Sequence, residues 1–179
     1  LATHLYSAMS GVTRQNAFRY AGTIESAFLL DMDVEIIGDG IHLPAPLLQL
    51  IYKIKGADKT ALITDAMRAA GMPEGESTLG SLKNGLKVIV EDGVAKLPDR
   101  TSFAGSVATF DRLVRNMISR GGVNLREAVR MASTTPARIM GVLDRKGTIQ
   151  VGKDADIVIF DNDIQIKHTV VGGKLIYTS

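Results

Sequence analysis

Cysteine is absent from the 179 residues, which excludes disulfides and thiolate metal sites and fits a reducing cytoplasm as the expected compartment. Aromatic residues make up only 5% of the chain, too few for a row of rings on which bases could stack. The 21 basic and 19 acidic residues are interspersed and leave a formal charge of +2, so no block of one sign stands out. Nucleic acid is therefore not an expected partner. No apolar run reaches the roughly 18 residues that a membrane span needs, and a membrane is not expected either. Histidine is scarce, with three in all: His4, His42 and His168. What remains, 45% hydrophobic and 22% charged, is the balance of a globular protein long enough for one sizeable core, or for one domain and a small appendage. The chain opens on "LAT", which reads as the end of a strand, and is taken as a fragment.

Against this background the stretch "VEIIGDGIHLP" sets an apolar, β-branched run against an abrupt Asp39-Gly40-Ile41-His42. The pattern recurs in "TALITDAM", which ends its run at Asp65, and in truncated form in "LATHLYSAM", which carries His4. Each run is read as a strand, then a polar residue, then a helix-like segment. In the second unit Leu47, Leu50, Ile51 and Ile54 recur at helical spacing, with prolines at the entry and Gly56 at the exit. Fully apolar strands alternating with helices predict a parallel sheet covered on both faces. In such folds chemistry gathers at the carboxyl ends of the strands, where His4, His42 and Asp65 all fall.

Residues 77–98 change character, since Asn84-Gly85 and Asp92-Gly93 separate short alternating runs and predict hairpins. Helices are expected again at 106–119, with Val107, Phe110, Val114 and Met117 on one face, and from Asn124, whose Glu127 has capping-box spacing. "TTPARIMG" reads as a short helix with Pro136 in its first turn and Gly141 beyond its end. Residues 147–179 alternate with period two and turn at Gly172-Gly173, a β appendage.

Imidazole from one strand and carboxylate from another are what zinc-type hydrolytic sites use. His4, His42 and Asp65 are accordingly candidates for metal chemistry. Asp39 reads as a turn residue whose carboxylate caps the following backbone. His168 sits among Ile164, Ile166 and Val170, where packing or surface exposure is expected. The arginines from Arg112 to Arg138 read as solvated helix faces. "FAGS" at 103–106 permits close backbone approach and precedes a helix whose amino end could face a substrate; equally it could be a turn.

Taken in order, "ATHLYSAM", "DGIH", "LITDAM", "FAGS" and "TPARIMG…GTIQVGKDADIVIFD" closely resemble the carboxyl-terminal half of the N-acetylglucosamine-6-phosphate deacetylase family of amidohydrolases, over essentially all of residues 1–179. The resemblance implies an α/β fold. Residues 1–146 would form the carboxyl-terminal part of a (β/α)8 TIM-like barrel with a hairpin insertion near 77–98, and residues 147–179 would supply strands of a small β-sandwich domain. It implies hydrolysis of the acetamide of an amino-sugar phosphate, one divalent metal ion (zinc or iron) and a homodimer. By the same resemblance His4 would be a metal ligand, His42 would bind substrate and Asp65 would be the acid/base. Further ligands, a glutamate and a histidine, are expected upstream. Ser7 stands where the family usually has Asn, and with Ala8 it would contact the phosphate. Arg14 would supply the phosphate arginine, often across a dimer interface, with Arg19 the alternative; Phe103, Ala104 and Gly105 would close over the sugar. Other amidohydrolases, such as D-amino-acid deacylases or cyclic amidases, share the metal chemistry without a phosphate site. From another class comes a non-catalytic barrel protein.

Overall fold

The computed structural model describes all of residues 1–179. In chain order its elements are β1 (Thr13–Gln15), β2 (Phe18–Tyr20), α1 (Thr23–Leu29), β3 (Val34–Ile37), α2 (Ala45–Lys55), β4 (Thr60–Ile63), β5 (Gly75–Leu79), β6 (Leu86–Glu91), β7 (Val94–Lys96), β8 (Phe103–Ser106), α3 (Phe110–Ser119), α4 (Leu125–Ala132), α5 (Thr134–Ile139), β9 (Ile157–Phe160), β10 (Ile166–Val171) and β11 (Lys174–Thr178). This is an α/β fold. No helix is long and apolar enough to cross a membrane.

The apolar runs form the expected parallel pair. β3 and β4 run side by side with Val34 level with Thr60 and Ile37 level with Ile63. Ala2 bridges Val34 in the same direction, and past the other flank Ala66 bridges Ser106 at the end of β8, also in parallel. Val34, Ile36, Ile37 and Leu62 are buried on this sheet, as strands covered on both faces should be. Leu48 and Ile51 of α2, Leu113 and Met117 of α3, and Ala128 and Met131 of α4 join them in one core. Each large aliphatic side chain so enclosed stabilises the fold by about 1.5–3 kcal/mol relative to its exposed state.

Several expectations need correction. The first unit does not run straight into a helix: residues 13–20 fold back as the β1–β2 hairpin, and α1 begins only at Thr23. No helix follows Asp65, because the chain turns through residues 67–72 toward β5 and Gly71 takes φ +76°. In α2 it is Leu48 and Ile51 that are fully buried, while Leu50 and Ile54 are exposed. The helix expected from 106 starts at Phe110, itself 45% exposed, and buries Leu113, Val114 and Met117. "FAGS" is not a turn but strand β8, paired antiparallel with β7 and followed by helix α3 as expected.

The hairpin region is a four-stranded antiparallel sheet, β5-β6-β7-β8. Asp92 and Gly93 have φ +54° and +72°, the mirror-image turn that matches strand twist, whereas six residues from 80 to 85 connect β5 to β6. Asn124 caps α4 by accepting from the Glu127 N–H at 3.0 Å. Gly141 follows α5 at φ +69°, as a helix exit requires. The appendage is a three-stranded sheet, β11-β10-β9, turning at Gly172 and Gly173. Its period-two pattern fails at 147–156: Ile149 and Val151 belong to no strand and lie exposed.

Candidate functional site

The parallel register sets up a rim. Two residues beyond the last pair of β3 and β4 stand Asp39 and Asp65 at the same level, and His4 lies two residues beyond the Ala2 bridge on the neighbouring segment. The chain leaves these strands in conformations that side chains rarely adopt, with φ +35° at His4 and +45° at Asp65. Left-handed backbone at non-glycine residues persists where the surroundings impose it, and it concentrates at functional sites. Segment 1–5 is held against β3 by the Leu5 N–H donating to Glu35 O at 2.8 Å and by the buried Leu5 side chain. Nδ1 of His4 is buried and has no hydrogen-bond partner in the chain. An unpaired imidazole nitrogen kept from water is costly unless something else takes it up, which suits a metal ligand or a substrate contact.

His42 is organised differently. Its Nδ1 lies 2.7 Å from Asp39 Oδ2, with the carboxylate wholly buried and the imidazole 9% exposed. Asp39 Oδ1 meanwhile accepts the backbone N–H groups of Ile41 and His42, both at 2.9 Å. Burial pushes the Asp39 carboxyl up, but the bonds from the His42 ring and the Ile41 N–H outweigh it and hold the group below the ordinary carboxylate range. On its other side the His42 ring packs on Phe103, centroids 4.9 Å apart.

β8 comes to the rim through backbone bonds: the Ser106 N–H donates to Asp65 O at 3.2 Å and the Met67 N–H to Ser106 O at 2.9 Å. Gly105 has φ +94°, and a Cβ there would lie 3.4 Å from Met67 Cβ and 3.8 Å from Asp65 O, so the close approach expected of this segment is present. Asp65, Phe103, Ala104 and Gly105 thus share one edge with His42, Ala104 being buried and Phe103 47% exposed. Ser7 and Ala8 follow His4 in a tight turn, the Ser7 N–H donating to His4 O at 2.9 Å. Arg14 stands apart on the wholly exposed β1–β2 hairpin, directly opposite Arg19. Opposed residues in an antiparallel pair point to the same face, so the two alternatives for one role are neighbours.

A family model described as the amidohydrolase family matches residues 1–176. The chain belongs to the amidohydrolase family. Among its relatives, the N-acetylglucosamine-6-phosphate deacetylase of Lysinibacillus sphaericus is 39% identical over 97% of this chain and 42% of its own length. The N-acetylgalactosamine-6-phosphate deacetylase of Escherichia coli O157:H7 is 35% identical over 96% of this chain and 43% of its own. The crystal structure of N-acetylglucosamine-6-phosphate deacetylase from Pasteurella multocida superposes with a TM-score of 0.87 at 33% identity, covering 98% of this chain and 44% of that one. The chain therefore spans less than half the length of each of these three proteins.

Amidohydrolases generally use a divalent metal ion. In this chain no three or more His, Cys, Asp or Glu side chains cluster as metal donors, so His4 and Asp65 make at most part of a site that takes three protein ligands in zinc hydrolases. The orphaned His4 nitrogen fits that partial role.

Two features escaped the sequence reading. Asp39 does cap the turn, yet it also binds the His42 ring. The arginines of α3 are not simply solvated: Arg112 Nη2 donates to Asp39 O at 3.2 Å, Asn116 Nδ2 to Gly38 O at 3.1 Å, and Arg120 Nη1, just past the helix, to Gly40 O at 3.2 Å. Three consecutive carbonyls are thereby taken by residues spaced i, i+4, i+8, and that spacing was the available signal. Arg115 and Arg138 likewise bind Asp111 and Asp33. His168 bonds Thr178 on the appendage surface and has no part in the site.

Proposed function

We propose that residues 1–179 are the carboxyl-terminal, site-bearing part of a metal-dependent amide hydrolase that converts N-acetylglucosamine 6-phosphate to glucosamine 6-phosphate and acetate. One observation carries the reading: His4, the Asp39–His42 pair and Asp65 stand at the carboxyl ends of adjacent parallel segments, with β8 bonded to the Asp65 backbone. On this reading residues 1–146 belong to a (β/α)8 barrel and 147–179 to a small β-sandwich domain, the active form being a cytoplasmic homodimer.

His4 would help hold one divalent ion, zinc or iron. When bound, the ion supplies a Lewis acid for the amide carbonyl and lowers the pKa of water toward about 7. Asp65 takes the proton of the attacking water and returns it to the amine nitrogen as the C–N bond breaks, two transfers of opposite direction that one carboxylate can serve. His42 orients or polarises the acetamide. Ser7, Ala8 and Arg14 hold the phosphate, Arg14 reaching the site of a neighbouring subunit, and this remote contact positions the reacting amide. Phe103, Ala104 and Gly105 cover the sugar.

Asp65→Asn tests this in the whole protein. The amide keeps the shape but cannot take the proton, so kcat should fall by about 10²–10⁴-fold while product affinity stays within about tenfold and the melting temperature holds. Near-normal kcat in a folded, metal-loaded variant would remove Asp65 from the mechanism. A relative named for N-acetylgalactosamine 6-phosphate, at 35% identity, favours a second reading in which the 4-epimer is the substrate. kcat/KM measured on both epimers decides between them.

A further inference from the structure

Asp39 is bonded on both oxygens, and its two sets of partners are not interchangeable. Oδ1 takes the backbone N–H groups of Ile41 and His42, and Oδ2 faces the His42 ring at 2.7 Å. A carboxylate offers acceptors only, so the hydrogen shared with the ring belongs to Nδ1. A neutral imidazole carries one N–H, which leaves Nε2 bare, and Nε2 has no partner within the chain. The ring cannot readily swing away, since Phe103 packs against it and the loop beneath it is held through the carbonyls of Gly38, Asp39 and Gly40 by Asn116, Arg112 and Arg120.

We infer that Asp39 is a positioning residue: it locks the neutral form of His42 in the Nδ1–H tautomer, so that Nε2 meets the substrate as a hydrogen-bond acceptor, which gives His42 the orienting and not the polarising role toward the acetamide. The tautomer follows from contacts within this chain; its consequence for turnover rests on the function proposed above.

Asp39→Asn tests the lock with almost no change of shape. The two backbone N–H groups still need an acceptor, which orients the amide oxygen where Oδ1 was and puts the NH₂ opposite His42 Nδ1. That NH₂ can only donate, so Nδ1 must lose its hydrogen and the proton moves to Nε2. The acceptor presented to substrate becomes a donor. Long-range ¹H–¹⁵N correlation on the whole protein labelled at histidine, at a pH where the ring is neutral, reads the tautomer directly, with His42 assigned by the loss of its signals in His42→Gln. The wild type should show Nδ1–H and a bare Nε2; Asp39→Asn should show the reverse and keep a cooperative melt. kcat/KM of the variant should fall by about 10²–10⁴-fold, the range for a misdirected proton at an acid–base site.

An Nε2–H tautomer in the wild type overturns the inference, and that result stands even if the variant does not fold. A reversed tautomer with unchanged kcat/KM also overturns it, reducing Asp39 to a turn residue. If instead the wild type shows Nδ1–H but hydrolyses neither amino-sugar phosphate, the lock is upheld and the proposed function is what fails.

Discussion

Gly40 takes φ +75°, and a Cβ there would lie 2.9 Å from Nη1 of Arg120, the same nitrogen that donates to the Gly40 carbonyl. Two independent costs therefore fall on one substitution. The left-handed conformation alone costs an alanine about 1–2 kcal/mol, and the guanidinium must give way or lose its bond. Gly40→Ala should lower stability by at least that amount in denaturant melts. Gly38→Ala is the natural comparison, because its φ is ordinary and its Cβ would rest 3.4 Å from Leu113 and Leu62. It should cost less; equal losses at the two positions would mean that the strain at Gly40 is not what matters. The same residue-level logic separates His4 from His42. His4 has a buried nitrogen without a partner, whereas His42 has a dedicated carboxylate. Two histidines that look alike in the sequence, each at the end of an apolar run, are thus prepared for different tasks.

Helix α3 works on the site through its polar face. Gly38 is buried, so removing the Asn116 amide leaves a carbonyl without its partner, and Asn116→Ala should cost about 1–3 kcal/mol of stability by thermal or urea melts. If the cost is within a few tenths of a kcal/mol, the ladder is incidental. This element also marks where sequence reasoning ran out. The buried strands β3 and β4, the Asp92-Gly93 turn and the Asn124 cap were legible because each rests on local chemistry: β-branching, a left-handed turn pair, a side chain within reach of a backbone N–H. The arginine ladder was not, since an exposed polar face and a face that clasps a distant loop carry the same residues, and only tertiary contact tells them apart. The β1–β2 hairpin was missed for a related reason, as "TRQNAFRY" has no apolar alternation and its turn is made by Asn16 and Ala17 at φ +49° and +69°. That hairpin makes a kinetic prediction. Arg14→Ala should raise KM for the phosphorylated sugar far more than for the unphosphorylated one, because only the former loses a charge-assisted contact. Equal effects would detach Arg14 from the phosphate, and a selective effect at Arg19 alone would pass the role to its cross-strand neighbour.

Across the whole molecule the shifted carboxylates all move one way. Asp33 is held low by the Arg138 guanidinium; Asp39 by the bonds of His42 and Ile41 against its burial; Asp111 by Thr109 and Arg115 against partial burial. A carboxyl depressed in the folded state contributes stability that is fully present above its ordinary value of about 4 and is lost as pH falls through the folded value. The raised bases, Arg138, Lys96 and Lys146, act at the other end: their contribution is present below their ordinary values and is lost only in strong alkali. Through these carboxylates stability should decline below about pH 4, where the unfolded chain binds more protons than the folded one. Among these groups Asp39 is the most enclosed, fully buried and bonded on both oxygens, so it should account for a measurable share of the acid loss. Asp39→Asn removes that titration while keeping the turn. Its melting temperature should start lower at pH 7 and fall less steeply than the wild type's between pH 5 and 3, so that the two curves converge in acid. Curves that stay parallel would mean that the Asp39 carboxyl has the same proton affinity in the folded and unfolded chains, and the charge-based bond to His42 would then contribute nothing to holding the rim together.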